Sequence, residues 1–300
     1  MATIAAPDDD ARTPYDDIAG LRSDRRFGRW GWRIATYATL LLFAVIFLLP
    51  FFWIWFSALK SSLEIALDPF GLPKDWLWSN LREAWTIGRF GRYIANSIIY
   101  CAAIVSGVVV LSCMAGYALA SLHLPGQGIL LITFLLGLMV PFQSLMIPLY
   151  YLLRDLHMLE TYFAFIVPGI ALGLPFGIFL MRGFFRGLPP EIGDAARVDG
   201  ANEWQVFREI MLPLAIPGIA TLIVFTFMAT WKSFLIPLVF VQRDDLRPVA
   251  LGMMFFFGRF TADRGMVAAG VTIAMLPTIV LYLLLQRRFI EGMTAGALKA

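Results

Sequence analysis

LPPEIGDAARVDGANEWQVFREIMLP, residues Leu188–Pro213, is the longest charged, amphipathic interruption in the apolar C-terminal part of this chain, and it stands between two segments of membrane length. Pro189-Pro190 followed by Glu191 marks a helix start, because proline fits the first helical position and an acid suits the positive N-terminus. Ala195 and Ala196 keep one face of that short helix nearly flat. Asp199-Gly200 then predicts a break, since glycine adopts backbone angles other residues avoid. In the run that follows, helical periodicity gathers Trp204, Phe207, Ile210 and Met211 on one side and leaves Glu203, Gln205, Arg208 and Glu209 elsewhere. The expectation is a helix–turn–helix elbow outside the bilayer, shaped to dock against a partner.

Around this elbow the chain is apolar. Of its 300 residues 59% are hydrophobic and 15% charged, and the mean hydropathy is +0.75. Soluble domains carry about 25% charged residues, so a polytopic membrane protein is predicted. A net charge of +3, with no basic tract interleaved with aromatics outside the N-terminus, argues against nucleic acid. Cys101 and Cys113 would lie about 18 Å apart along one helix, too far to bridge. His123 and His157 stand alone, so no metal site is expected.

A helix crosses a bilayer with roughly 20 apolar residues. Ile34–Phe56 reaches that length and exceeds the apolar core of a signal peptide. Further spans are predicted at about 93–122, 129–152, 162–181, 214–240 and 266–285, six in all. The chain then divides into a tail (1–33), a first span (34–56), an external loop (57–92), a five-helix core (93–286) that includes the elbow, and a second tail (287–300). Six spans put both termini on one side. Arg22, Arg25, Arg26, Arg29 and Arg33 before the first span, with Arg182, Arg186, Arg287 and Arg288 after later ones, assign that side and the elbow to the cytoplasm.

Every predicted span but the second carries proline, which frees a carbonyl and permits a kink. Gly169, Gly173 and Gly177 on the fourth span, and Ser112, Gly116 and Ala120 on the second, form small-xxx-small stripes for close helix approach, within the subunit or against a partner. No GxxxxGK[ST] phosphate loop, catalytic triad or carboxylate pair occurs, so no catalytic residue is assigned and the chain is not an enzyme by itself. Lys232 falls inside the fifth predicted span, in ATWKSFLIPLVFV. A lysine at a helix centre costs roughly 2.5–3.5 kcal/mol to insert and is a functional-site candidate, unless it snorkels to water or meets a partner's carboxylate.

Asp194-Ala195-Ala196, Gly200 and the closing Ile210-x-Leu212-Pro213 resemble the EAA loop of bacterial ABC-importer permeases, and Asp199-Gly200-Ala201 resembles the D-G-A of the sugar branch. Asp194 departs from the Glu that many members carry. The segments FSALKSSLEI, LPKDWLWSNLREAW and GRFGRYIANS, then ALASLHLPGQ (Ser121 for the usual Arg) and the terminal FIEGMTAGALKA, are similar to permeases like the smaller subunit of the maltose importer. The resemblance covers almost all of the chain after residue 33.

That resemblance implies an all-α membrane protein of six transmembrane helices with a cytoplasmic EAA coupling loop. The loop would seat in a separate ATPase through Glu191, Asp194, Ala195, Ala196, Asp199, Gly200, Ala201, Phe207, Ile210, Leu212 and Pro213. The shorter Asp194 makes a salt bridge to the ATPase less secure than the docking. Thr294, Gly296 and Lys299 of the tail would reach the ATPase dimer interface. Trp231, Lys232 and Phe234 are the substrate-path candidates, with the aromatics available to stack on a sugar ring or to pack. The expected partners are a second permease subunit, two ATPase subunits carrying ATP and Mg, an extracytoplasmic substrate-binding protein and membrane lipid. The chain itself would bind no cofactor, and its place is the bacterial inner membrane. A sugar or sugar derivative is the expected substrate. The alternatives are a permease for glycerol phosphate, an amino acid or a peptide, and a secondary transporter driven by an ion gradient.

Overall fold

A computed structural model describes residues 14–122, 124–260 and 263–297, without side chains at 14–29, 31, 255, 281 and 284–297. The helices run in order: α1 (Pro14–Ala58), α2 (Ser62–Leu67), α3 (Trp78–Ile87), α4 (Phe90–Ser121), α5 (Gln127–Met139), α6 (Phe142–Asp155), α7 (Phe163–Arg186) and α8 (Pro190–Val198). There follow α9 (Glu203–Gln205), a π-helical turn (Val206–Met211), α10 (Leu212–Leu214), α11 (Ile216–Trp231), α12 (Leu235–Phe240), α13 (Val249–Arg259) and α14 (Arg264–Ala297).

The chain divides into two compact units, Met1–Ile54 and Trp55–Ala300. In the first, the stretch of α1 from Leu40 to Leu49 is apolar and exposed all round, as a helix facing lipid or a partner is.

In the second unit α4 and α7 form the spine. Their small residues interlock: Gly169 faces Ile104, Gly173 faces Val108, Gly177 faces Ser112, and Gly116 faces Met181. A side chain has no room where these backbones touch, so the two stripes serve packing inside this subunit, the plainer of the two uses the sequence allows. Tyr100, Ile104, Val108, Phe165, Met181 and Phe185 fill one core here. A second core joins Phe90, Trp231, Phe256, Met266 and Ile273.

Two of the six predicted spans need revision. Only Trp32–Ala58, Phe90–Ser121 and Phe163–Arg186 are unbroken helices of spanning length and apolarity among the described residues, and two bent pairs raise the number to five. The predicted span 129–152 is not one helix: α5 and α6 meet at 98°. Pro141 sits at that break, unable to donate the bond that would continue the turn. The predicted span 214–240 also divides, because α11 ends at Trp231 and α12 starts at Leu235. At its other end α11 is bent by 74° from the helical run Glu203–Leu214. The predicted span 266–285 falls within α14, which runs through it without a break.

Candidate functional site: the Leu188–Pro213 elbow

The elbow is built from two capped helix ends set back to back. Pro190 takes the first helical position of α8 and Glu191 stands in the first turn. At the other end Gly200 has φ +90°. Its N–H donates to the Arg197 carbonyl at 3.1 Å, while the Ala201 N–H donates to the Ala196 carbonyl at 3.0 Å. This pair of bonds is a Schellman cap, which needs a left-handed residue at the position of Gly200. Two residues later Asn202 opens the next helix with a capping box: the Gln205 N–H donates to Asn202 Oδ1 at 3.0 Å, and the Asn202 N–H donates to Gln205 Oε1 at 2.8 Å. The N-x-x-Q signature was available in the sequence and is what fixes the second arm.

That arm departs from the expected α-helical face. Val206–Met211 is π-helical, so residues five apart line up. Val206, Phe207 and Met211 are buried, whereas Trp204 is 55% exposed. Phe207 packs on Tyr117 at 5.1 Å between ring centroids and on Phe185 at 6.4 Å, which fixes the elbow to both helices of the spine.

A polar network ties the two arms together. Arg197 holds Asp194 at 2.7 Å and grips Glu203 with two bonds, Nε to Oε1 at 2.7 Å and Nη2 to Oε2 at 3.2 Å. Tyr117 Oη donates to Glu203 Oε2 at 2.9 Å and extends the network to α4. The forked Arg197 contact is geometrically specific, although each half-exposed ion pair contributes only about 0–1 kcal/mol. Arg197 also holds the Glu203 carboxyl below its usual range. Asp194, expected to reach outward, therefore already has a partner within the chain. Arg197 and Glu203 were missed because a periodicity reading scores charged residues only as solvated, and Tyr117 because an aromatic inside an apolar run reads as packing.

Of the predicted docking residues, Glu191, Asp194, Ala195, Asp199, Gly200 and Pro213 are exposed; Ala201, Ile210 and Leu212 are partly covered; Ala196 and Phe207 are buried. The outward surface also carries apolar side chains that the sequence did not single out. Val198 is 87% exposed, and Trp204, six residues on across the turn, is exposed as well. A 540 Å³ cavity opens between the elbow and the ends of α4 and α7, lined by Ser121, Arg186, Asp194, Arg197 and Glu203.

The substrate-path candidates are split. Trp231 is 6% exposed and stacks on Phe227 at 5.5 Å, a core position. Lys232 is not at a helix centre: it is exposed at the C-terminal cap of α11, where the negative end of the helix favours a cation. Phe234 is exposed in the gap before α12. Among the described residues the fully buried lysine is Lys60, whose Nζ donates to the Asp68 carbonyl at 2.9 Å. The tail residues Thr294, Gly296 and Lys299 lie outside the residues whose side chains are described.

Residues 109–294 match the family described as binding-protein-dependent transport system inner membrane component. Among curated proteins, the diacetylchitobiose uptake system permease protein NgcG of Streptomyces coelicolor is 33% identical over 94% of this chain and 92% of its own length. The trehalose transport system permease protein SugB of Mycobacterium tuberculosis is 34% identical over 90% of this chain and 99% of its own. Among solved structures, a chain of a bacterial ABC transporter involved in the import of the acidic polysaccharide alginate superposes with a TM-score of 0.73, at 25% identity, covering 89% of this chain and 98% of that one.

Proposed function

Since this chain belongs to the family of binding-protein-dependent transport system inner membrane components, we propose that it forms half of the path by which a sugar or sugar derivative enters the cell, driven through the Leu188–Pro213 elbow. It is a multi-pass permease subunit of an ABC importer and not itself an enzyme; ATP hydrolysis resides on a separate subunit. The observation that carries the coupling role is the elbow's construction. Two caps, a forked ion pair and a buried aromatic make a stiff handle, joined to both α4 and α7, with an exposed apolar edge. Two ATPase subunits closing on ATP and Mg would move the handle, and the spine helices would tilt with it. A second permease subunit supplies the other half of the cavity, and an extracytoplasmic binding protein delivers the solute. The cytoplasmic position of the elbow and of both termini is supported by Arg22–Arg33 before the first apolar stretch and by Arg182 and Arg186 before the elbow.

The carbohydrate assignment rests on what the relatives are named for and on the D-G-A of the elbow. Purifying the complex and identifying its ligand by mass spectrometry tests it. A saccharide supports the assignment; a peptide, amino acid or phosphate ester overturns it. Uptake that survives ATP depletion and stops when the ion gradient is collapsed would instead favour the secondary transporter.

Lys232 belongs to the same reading. An exposed cation where α11 gives way to α12 suits an anionic solute such as a uronate. A Lys232→Asn variant is expected to lose about tenfold in uptake of an acidic saccharide relative to a neutral one, the size of a charge-assisted contact. An unchanged ratio removes Lys232 from the substrate path.

A further inference from the structure

Tryptophan collects at one place in this molecule. Trp55, Trp76, Trp78 and Trp85 surround a cavity of 720 Å³, closed on another side by Ile273 and Leu276 of α14. All four indoles remain about half exposed, between 47% and 63%. Trp76 stacks on Trp78 at 6.3 Å, and Phe56 meets Trp76 edge-on at 6.4 Å.

Two features give the depth and the polarity of this cavity. Trp55 stands in the last turn of the apolar helical stretch Trp32–Ala58, where a spanning helix meets the interface. Tryptophan is enriched at that level because its ring is apolar and its N–H seeks water or headgroups. On α3, Trp78, Arg82 and Trp85 are spaced four and three residues apart and share one face. Arg82 is the charged member of the cavity wall, and no carboxylate lies within ion-pair distance of it among the described residues.

An apolar protein helix laid into this cavity would fill it but would cover the Arg82 guanidinium without a counter-charge, which is costly. A lipid with an anionic headgroup satisfies both halves. We propose that this cavity binds an anionic phospholipid, with an acyl chain among the tryptophans and the phosphate on Arg82. Across Trp85 a polar notch lined by Thr86, Arg89 and Arg92 keeps the neighbouring surface positive. Arg89 there is engaged with Asp244 at 2.8 Å, so Arg82 and Arg92 are the cations that face the headgroup layer. The proposal needs only that the chain lies in a membrane and is independent of the transported solute.

The test counts lipid on the full chain, purified in mild detergent with the subunits that accompany it, by native mass spectrometry after exposure to phosphatidylglycerol or phosphatidylcholine. Phosphatidylglycerol is expected to be retained about fivefold better, the weight of one basic contact at the membrane surface. Arg82→Gln is expected to abolish that preference while leaving assembly intact, and Leu276→Trp, which occupies the cavity, to lower retention of both lipids. Equal retention of the two lipids by the unaltered chain overturns the proposal, as does a preference that persists in Arg82→Gln. So does a photoreactive residue at Trp78 that attaches to the second permease subunit rather than to lipid. If Leu276→Trp fails to assemble, the Arg82→Gln comparison decides alone.

Discussion

Replacing Gly200 with valine is expected to lower uptake about tenfold or more while ATP hydrolysis by the complex continues. Gly200 sits at φ +90°, and a Cβ added there meets nothing within 4 Å. The penalty is therefore in the backbone: a left-handed residue with a side chain costs about 1–2 kcal/mol, and a β-branched one more. The chain can relieve that strain only by giving up the Schellman cap, which releases the Gly200 and Ala201 N–H groups and lets the two arms of the elbow swing. A handle that swings transmits less displacement, and about 1.4 kcal/mol lost from the coupled step is already tenfold in rate. Gly200→Asn separates the two explanations, because asparagine tolerates the left-handed region better than valine. It should retain most of the uptake if backbone geometry is the cause, and lose it if the ATPase cannot accept any side chain at this position. Normal uptake in Gly200→Val would show that the turn is not part of the coupling.

Gly116→Leu is expected to reduce the amount of assembled chain in the membrane by about tenfold. A Cβ at residue 116 would lie 2.8 Å from the Met181 Cβ and 2.9 Å from the Arg182 backbone nitrogen. A flexible side chain can turn aside, but the backbone of α7 cannot. Arg182 Nε donates to the Leu119 carbonyl at 3.1 Å on the same stretch, so separating the helices also strips that bond. Overpacking a close contact costs about 1–3 kcal/mol in a forgiving core, and a helix-to-helix backbone contact is less forgiving. Gly128→Leu is the control, since a Cβ there meets nothing within 4 Å. Membrane levels read by quantitative immunoblot should fall for the first variant and hold for the second.

Much of the elbow was legible in the residues. Pro189-Pro190-Glu191 gave the start of α8, and Asp199-Gly200 the turn, because both signals are local and stereochemical. The π-helical turn was not legible, since a search at the α-helical period pairs Phe207 with Trp204 and has no way to bring Val206 and Met211 into line. Hydropathy likewise ran straight through Val140-Pro141. Apolarity reports that a segment prefers lipid, not that it is straight, so hydropathy hid the 98° bend between α5 and α6, and Pro141 marked only that a kink was permitted there. The placement of Lys232 at a helix centre fails for the same reason: an apolar window extends past Trp231 although the helix stops there. The stripes of glycine were legible as close contacts, but only coordinates could pair Gly173 with Val108 and Gly177 with Ser112.

A single cysteine at Val198 tests the coupling role most directly. Val198 is 87% exposed on the outer edge of the elbow, and Cys101 and Cys113 are buried and give little background. With a Val198→Cys chain in the intact assembly, a short thiol cross-linker is expected to join it to the ATPase subunit, and ATP is expected to change the yield. Labelling of that cysteine by a membrane-impermeant maleimide added outside intact cells, with no cross-link to the ATPase, would contradict the account.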